Sequence, residues 1–574
     1  MIDRRAFLKR AGLFVVATAC TTPENESTTT AANAPATTAH DHSGSTSTAA
    51  ANGASTTVPF VERTDILRVE GSMTIDESMR VPGIVIEPGA TLTLAPNRDI
   101  TLETSGNVLV LGTLASSPAA DVIHTVRFVD IDESKVVGGG MDLLETDVGI
   151  WVMEGGRLEL NGTAKTAWSY EPEQSWLPDD EIVITPTASG NFEGFITTTA
   201  AGLAGKIPAE VGLGWKAELL NLTRNVRVEA SPEGRAHILI RSTSPQTIRY
   251  VSLTNLGLFD VLGRYPLHFH HSGPESRGSV VEGVVAKMSG RHAFVPHMSE
   301  GITFTDCIAF DTTGDPFWWD EKEASHDIVW ERCVAALVRR DDNKPNRLSG
   351  FLLGGGDNNV IKDSVAVGVL GGPETGGIDW PASVRVGDWA FSNNISHNNE
   401  ANGFWVWQNQ IGSTVEDFVV YHNGLYGISH GAYNNSFVYR NGIIYGNLEA
   451  SIRFSANGAT YENLTIDGAG ITEVGILTGR HPAQPDSNTL FLNSPIVNHT
   501  GPKVLVEEGN RSGDAVFYDF VGCGVEEADV VVDGGLAEGS LMRVQDGERA
   551  FAIDDSGAAE DIETFVPDLY SIEY

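Results

Sequence analysis

The stretch VVYHNGLYGISHGAYNNSFVYRNGIIYGN, Val419 to Asn447, decides the fold because it closes on the pattern with which it opens. Val419-Val420-Tyr421 with Asn423 returns 24 residues later as Ile443-Ile444-Tyr445 with Asn447. Ile428, between them, belongs to a second series: Phe404, Ile428, Ile452 and Ile476 each follow the last by 24 residues. Two short apolar runs per period are therefore in phase. Such β-branched and aromatic runs, broken by Gly and Asn-Gly, read as strands and turns. Repeated at this period they predict a right-handed parallel β-helix, a pectate-lyase-like solenoid whose coils stack at about 4.8 Å. Asn423 over Asn447 predicts an amide ladder at a coil corner.

The same reasoning extends upstream. Tyr265-Pro-Leu-His-Phe-His270 lies in register with His292-Ala-Phe-Val-Pro-His297 and Asp315-Pro-Phe-Trp-Trp-Asp320. Leu267, Phe294 and Phe317 form one apolar column, and His270, His297 and Asp320 a polar one three positions on. Side chains alternate along a strand, so His268 faces the same side as His270. Three imidazoles and a carboxylate suit one divalent transition metal ion. The expected ligands are His268, His270, His297 and Asp320, with His270, His297 and Asp320 as the catalytic group of a metal-assisted hydrolysis or β-elimination. The alternative is an outer ladder whose histidines hydrogen-bond one another and water.

The chain has 574 residues, more than one compact core usually holds, but a solenoid grows in one dimension. Its 62 Gly against 25 Pro suit many tight turns, and no long run from Ile66 onward has helical spacing. The class is all-β. A formal net charge of −38 excludes nucleic acid as a partner. Of four cysteines, Cys307 and Cys333 open similar strands on successive coils, as a disulfide or as two stacked thiols, with Cys523 unpaired either way.

Residues 1–20 read as an export signal. Asp3-Arg4-Arg5-Ala6-Phe7-Leu8-Lys9 resembles a twin-arginine motif, followed by an apolar stretch too short to span a bilayer and by Ala17-Thr18-Ala19-Cys20, which resembles a lipoprotein processing box. Cys20 is the expected lipidation site and the lipid anchor the expected contact with a membrane, placing the protein at the cell surface or in the periplasm. Residues 21–58, rich in Thr, Ala and Ser, read as a disordered tether.

GIVIEPGATLTL, GNVLVLGTL, GRLELNGTAKTAW and WLPDDEIVITPT follow one another as short strands with Gly at their turns. With GRYPLHFHHSG at 263 to 273 they resemble the G-eight (eight-glycine) domain and the β-helix found with it in the cell-migration-inducing hyaluronan-binding proteins, cell-surface hyaluronidases and fibrocystins. The resemblance covers about residues 65 to 350. It implies a G-eight-like β-domain at 59–190; with the 24-residue repeat, which alone carries the reading beyond about 350, a β-helix is expected at 191–530 and a cap or tail at 531–574. It also implies an extracellular protein that binds or depolymerises hyaluronan, with His268, His270, His297 and Asp320 at the matching positions, the acid being Glu in the animal relatives. The acidity of the chain favours a neutral or differently charged glycan over hyaluronan.

Neighbouring residues extend the expected site. Arg264 suits a bidentate clamp on a carboxylate or the closing of a turn. Trp318 and Trp319, like Trp405 and Trp407, offer an inward core residue and an outward surface for a sugar ring. Arg332, Arg339, Arg340, Lys344 and Arg347 cluster where the coil lengthens, as a polyanion groove including Arg339 and Arg340 or as a loop of internal ion pairs. Asp320, Glu321, Glu323, Asp341 and Asp342 could supply a two-carboxylate glycosidase pair. The expected function is action on an extracellular polysaccharide, as a metal-dependent depolymerase or lyase. The rivals are a non-catalytic binding or adhesion β-helix and a two-carboxylate glycoside hydrolase.

Overall fold

The computed structural model describes residues 60–567, apart from 321–322, 341–346, 381–386, 408–411, 432–436, 455–457, 479–487, 508–516 and 534–537. The signal, Cys20, the tether, Glu321, Asp341, Asp342 and Lys344 lie outside the described residues.

Three parallel sheets run the length of a β-helix. The first has 15 strands, from Val61–Glu62 to Ile496–Val497. The second comes as a 7-stranded part ending at Phe294–Ser299 and an 8-stranded part beginning at Ser349–Leu352. Single bridges from Phe294 to Phe317 and from Phe317 to Phe351 join the two parts. The third sheet passes from Ser72–Ile75 through Phe517–Val521 to Leu541–Asp546, each strand parallel to the one below. It then ends in antiparallel strands Arg549–Asp554 and Ala559–Asp561, which terminate the stack as a cap.

The repeat has the register read from the sequence. Phe404, Ile428, Ile452 and Ile476 pair in turn, and Val419-Val420-Tyr421 lies on Ile443-Ile444-Tyr445. Like residues recur because each lumen column must fill a similar space in every coil. Phe294, Phe317 and Phe351 stack at 4.9 and 4.5 Å, and Tyr439, Tyr461, Phe491 and Phe520 at 4.9, 4.5 and 4.8 Å. The amide ladder is present and one rung longer than expected: Asn399 Nδ2 donates to Asn423 Oδ1 and Asn423 Nδ2 to Asn447 Oδ1, both at 2.9 Å. The corner between the third and first sheets puts one residue at positive φ, at Asp306, Asp363, Asn393, Asp417, Asn441, Asn463 and Asn493. Asn and Asp tolerate this conformation better than other side chains. Cys307 and Cys333 are buried free thiols, so of the two readings the stacked thiols are present.

Residues 61–161 are the first coils of the same solenoid, since His124–Phe128 pairs with Ile100–Thr104 on one side and Val226–Ala230 on the other. The expected division at 190 falls inside an insertion. Strands Trp168–Ser169, Glu181–Ile184, Ile196–Thr199 and Leu219–Asn221 form a separate antiparallel sheet. WLPDDEIVITPT therefore supplies a strand of this side sheet and no coil. The insertion covers the outer face of the first sheet, where Trp168, Val183 and Leu220 pack with Ile308, Val334 and Val367. Trp215 stacks on Tyr421 at 4.7 Å, and Asn398 Nδ2 donates to the carbonyls of Ala188 and Asn191. With the first sheet covered here, the outer face of the second sheet carries the histidines.

Candidate metal centre on the second sheet

Strands His237–Ser242, Leu267–Gly273 and Phe294–Ser299 lie side by side, with Leu239 opposite His268, Leu267 opposite Phe294 and His270 opposite His297. Leu267, Phe269 and Phe294 point into the lumen and are fully buried. Alternation then sends His268, His270 and His297 outward, as the sequence predicts.

The three rings converge. His268 Nδ1 lies 3.0 Å from the Gly263 carbonyl, to which it can only donate, so its Nε2 carries a bare lone pair. That Nε2 is 3.2 Å from His270 Nδ1, which is 3.3 Å from His297 Nδ1. His297 Nε2 in turn contacts the Glu323 carboxylate. With Nε2–H donated to Glu323, the single-proton form of His297 also presents a bare Nδ1. A single N–H on His270 can serve only one bare neighbour well, so hydrogen bonding alone leaves the group short of protons. A tetrahedral ion with bonds of about 2.0–2.1 Å would set its ligand nitrogens about 3.3 Å apart. The measured 3.2 and 3.3 Å fit that donor set. Burial, followed by the neighbouring imidazoles, pushes the His268 pKa well below its usual value and that of His270 down to about 3. Both rings are thus neutral and open to a cation at neutral pH.

The carboxylate beside the histidines is Glu323, where the sequence reading placed Asp320. After Phe317 the chain leaves strand geometry, and Glu323, its N–H on the Asp320 carbonyl at 3.1 Å, meets His297. Period-two alternation stops applying at that point. Asp320 is not among the groups gathered around the rings, and its charge instead raises the pKa of Tyr265, after the larger effect of burial.

His271 was missed for a related reason. A regular strand would turn it away from His270, but its φ is 53° and the register shifts between His270 and Gly273. The irregularity returns the ring to the outer face, 4.4 Å from His270 and 4.9 Å from His297 between centroids.

Arg264 is no clamp for a ligand. Its side chain is wholly buried, ion-paired to Asp147 at 2.7 Å, and its guanidinium lies over Trp151. The pair joins two loops beside the site. Trp319 is core, whereas half-buried Trp318 stacks on His292 at 4.1 Å. Trp405 is buried and stacks on the less buried Trp407. The described arginines of the basic cluster are paired: Arg332 with Asp306, Arg339 with Asp311, Arg340 with Glu400 and Arg347 with Asp379. Of the two readings for that segment, internal ion pairing is the one these residues follow. The guanidinium whose field reaches the rings together with Arg264 is Arg241, which lowers the pKa of both His270 and His271 behind the larger effect of burial. Its signal in the sequence is register, two residues after Leu239 as His270 is two after His268.

Residues 234–420, which contain the histidines, Glu323 and Arg241, match a family model described as the CEMIP beta-helix. That stretch, less than half of the chain, is similar to the CEMIP β-helix. A G8 domain-containing protein of Dictyostelium discoideum is 23% identical over 223 residues, 32% of this chain and 20% of that protein. The cell surface hyaluronidase CEMIP2 of Homo sapiens is 24% identical over 185 residues, 26% of this chain and 13% of that protein. The matches thus span a fifth or less of these relatives' own length. Among solved structures, a mutant of the periplasmic alginate epimerase AlgG aligns with a TM-score of 0.30 and 10% identity, covering 80% of this chain and 76% of that one. The stretch that is similar to the CEMIP β-helix is also the one that carries the outward histidines.

Proposed function

We propose that this is an exported, surface-tethered protein that uses the outer face of its CEMIP-type β-helix to cleave an extracellular polysaccharide in a metal-dependent manner. The observation that carries this reading is the convergence of the ring nitrogens of His268, His270 and His297 at 3.2 and 3.3 Å. The relative named as a cell surface hyaluronidase supports a polysaccharide as the partner. When bound, a divalent transition metal would supply a Lewis acid at that point.

The chain's own groups do the remaining work. Glu323 holds His297 in the tautomer that turns Nδ1 toward the group, as second-shell carboxylates do. The Gly263 carbonyl does the same for His268. Arg241 is placed to orient a sugar carboxylate against the histidines, which gives a locally cationic point on an acidic chain. Trp318 offers its free edge to a sugar ring.

The test incubates the full chain with hyaluronan, alginate and a neutral glucan, with and without chelator. New reducing ends report any cleavage and ultraviolet absorbance of unsaturated ends reports elimination. Chelator-sensitive cleavage, lost in the His270→Ala, His297→Ala double variant, is expected. Binding without cleavage would replace this reading with a non-catalytic binding module. Cleavage that survives chelation and is lost in Asp320→Asn would point to a two-carboxylate hydrolase.

A further inference from the structure

The His297 ring faces two different groups with its two nitrogens. Nδ1 lies 3.3 Å from His270 Nδ1, while Nε2 meets Glu323. The ligand atoms of His268, His270 and His297 lie within 4.8 Å of one another, and so do those of His271, His297 and Glu323. The first group has one fully buried member, His268 at only 1% exposed, beside partly exposed His270 and His297. In the second, all three residues are partly exposed.

We propose that this face binds two divalent transition metal ions, with the His297 imidazole as the bridge between them. The inner ion takes His268, His270 and His297 Nδ1. The outer one takes His271, Glu323 and His297 Nε2. This extends the proposed function, since the inner ion is the one that reading invokes. Three protein ligands and solvent access leave the outer ion open positions, the arrangement in which an ion exchanges ligands with water or substrate.

Three features make the outer group more than a chance cluster. The conformation at His271 is a property of the coil, because Met298 one coil later also has positive φ, at 46°. What is particular to 271 is that the irregularity carries an imidazole and delivers it beside His270 and His297. Glu323 stands on a turn outside the sheet with its side chain 36% exposed, so it can adjust to an ion without moving a strand. Third, the donor types match one another: two imidazoles and a carboxylate suit the same class of ion as the inner group.

Proton balance is simple. With one ion bound, the Nε2–H of His297 sits against Glu323. Coordination at Nε2 requires that proton to leave to solvent, so uptake of the second ion releases it and leaves a bridging imidazolate. The two ions would then stand about 6 Å apart, the length of the ring plus two bonds of about 2 Å. Two paramagnetic ions joined in this way are magnetically coupled.

The experiment strips the full chain of metal, loads it with Cu²⁺, and counts ions per chain by elemental analysis after gel filtration, with electron paramagnetic resonance on the same samples. Two ions per chain are expected, with a resonance well below the sum of two isolated ions. His271→Ala and Glu323→Gln should each retain one ion and regain the signal of a single isolated site. His268→Ala should lose the inner ion. Because His271 and Glu323 lie at the surface, circular dichroism should show both variants folded, and the count then does not depend on His297→Ala. One ion per chain, lost in His268→Ala and kept in His271→Ala and Glu323→Gln, would overturn the bridge and leave the proposed function standing. No ion bound by the unsubstituted chain would overturn both, and two ions with no magnetic coupling would overturn the bridge alone.

Discussion

Arg264 Nε and an oxygen of Asp147 meet at 2.7 Å with neither side chain exposed, so the arginine next to the histidine segment is committed to the wall of the site. Burial alone would raise the Asp147 pKa, but hydrogen bonds from the Val137 and Gly138 N–H groups, together with Arg264, outweigh it and hold the carboxyl below its ordinary value. Arg264→Ala leaves that charge buried without its partner, which costs about 3–5 kcal/mol. A clear fall in melting temperature is expected. Arg241→Ala, at a partly exposed position, should stay within about 0.5 kcal/mol of the parent. Its effect should appear as weaker cleavage of carboxylate-bearing polymers, with neutral glucan unaffected. Equal melting temperatures for the two variants would contradict the assignment.

Asn423 sits in the middle of the amide ladder and accepts from both the N–H and the Nδ2 of Asn399, at 3.2 and 2.9 Å. Asn423→Ala strands those donors in a region without solvent, at about 1–3 kcal/mol for each unmet group. Hydrogen exchange should locate the damage: the Asn399 amide is expected to exchange markedly faster, while coils near residue 100 keep their protection. Unchanged exchange at Asn399 would mean that the ladder does not carry the corner.

How much of this was legible follows from where packing repeats. The columns through Phe404 and Phe317 could be read because every coil must fill the same lumen, so a side chain in one coil constrains its counterpart in the next. His268, His270 and His297 were legible for the same reason, being fixed by the buried neighbours Leu267, Phe269 and Phe294. Glu323 and His271 were not, because each depends on a departure from strand geometry. The chain has left the regular strand after Phe317, and a positive φ reverses the facing of His271. The inserted sheet was hidden because short apolar runs separated by Gly look alike whether they pair with the coil below or with one another. Arg264 was left between a ligand clamp and a turn-closing role because its partner, Asp147, is 117 residues away and no local pattern marks it.

The thiols give a further check. Cys307, Cys333 and Cys523 are buried and unbonded. Burial raises the pKa of Cys333, with the adjacent Cys307 adding to it, and pushes that of Cys523 up to about 12. Enclosed in the core, all three should not react with an aromatic disulfide reagent in the native protein. Denaturant should release three equivalents from the chain beginning at residue 59, and its intact mass should be the same with and without reductant. A mass difference of two hydrogens would place a disulfide between Cys307 and Cys333 after all.

Acid should destabilise the solenoid before carboxylates titrate. Burial lowers the His430 pKa to about 3, and it lowers the His237 pKa to about 3 with Arg264 assisting. The sign follows from proton counting. Between the unfolded value of about 6.5 and the folded value of about 3, the unfolded chain holds a proton on each ring that the folded chain does not. Their contribution to stability is therefore complete above pH 6.5 and is lost as pH falls toward 3, at up to about 1.4 kcal/mol per pH unit for each ring. His430 is fully buried with its Nδ1 2.9 Å from the Tyr439 hydroxyl, so a non-titrating replacement isolates its share. His430→Gln is expected to lower the melting temperature at pH 7.5 through imperfect packing, yet to melt closer to the parent at pH 5. Relief of the net negative charge acts on both proteins alike and cancels in the comparison. A gap between parent and variant that stays constant from pH 7.5 to 5 would show that His430 takes up a proton in the folded state, against its burial.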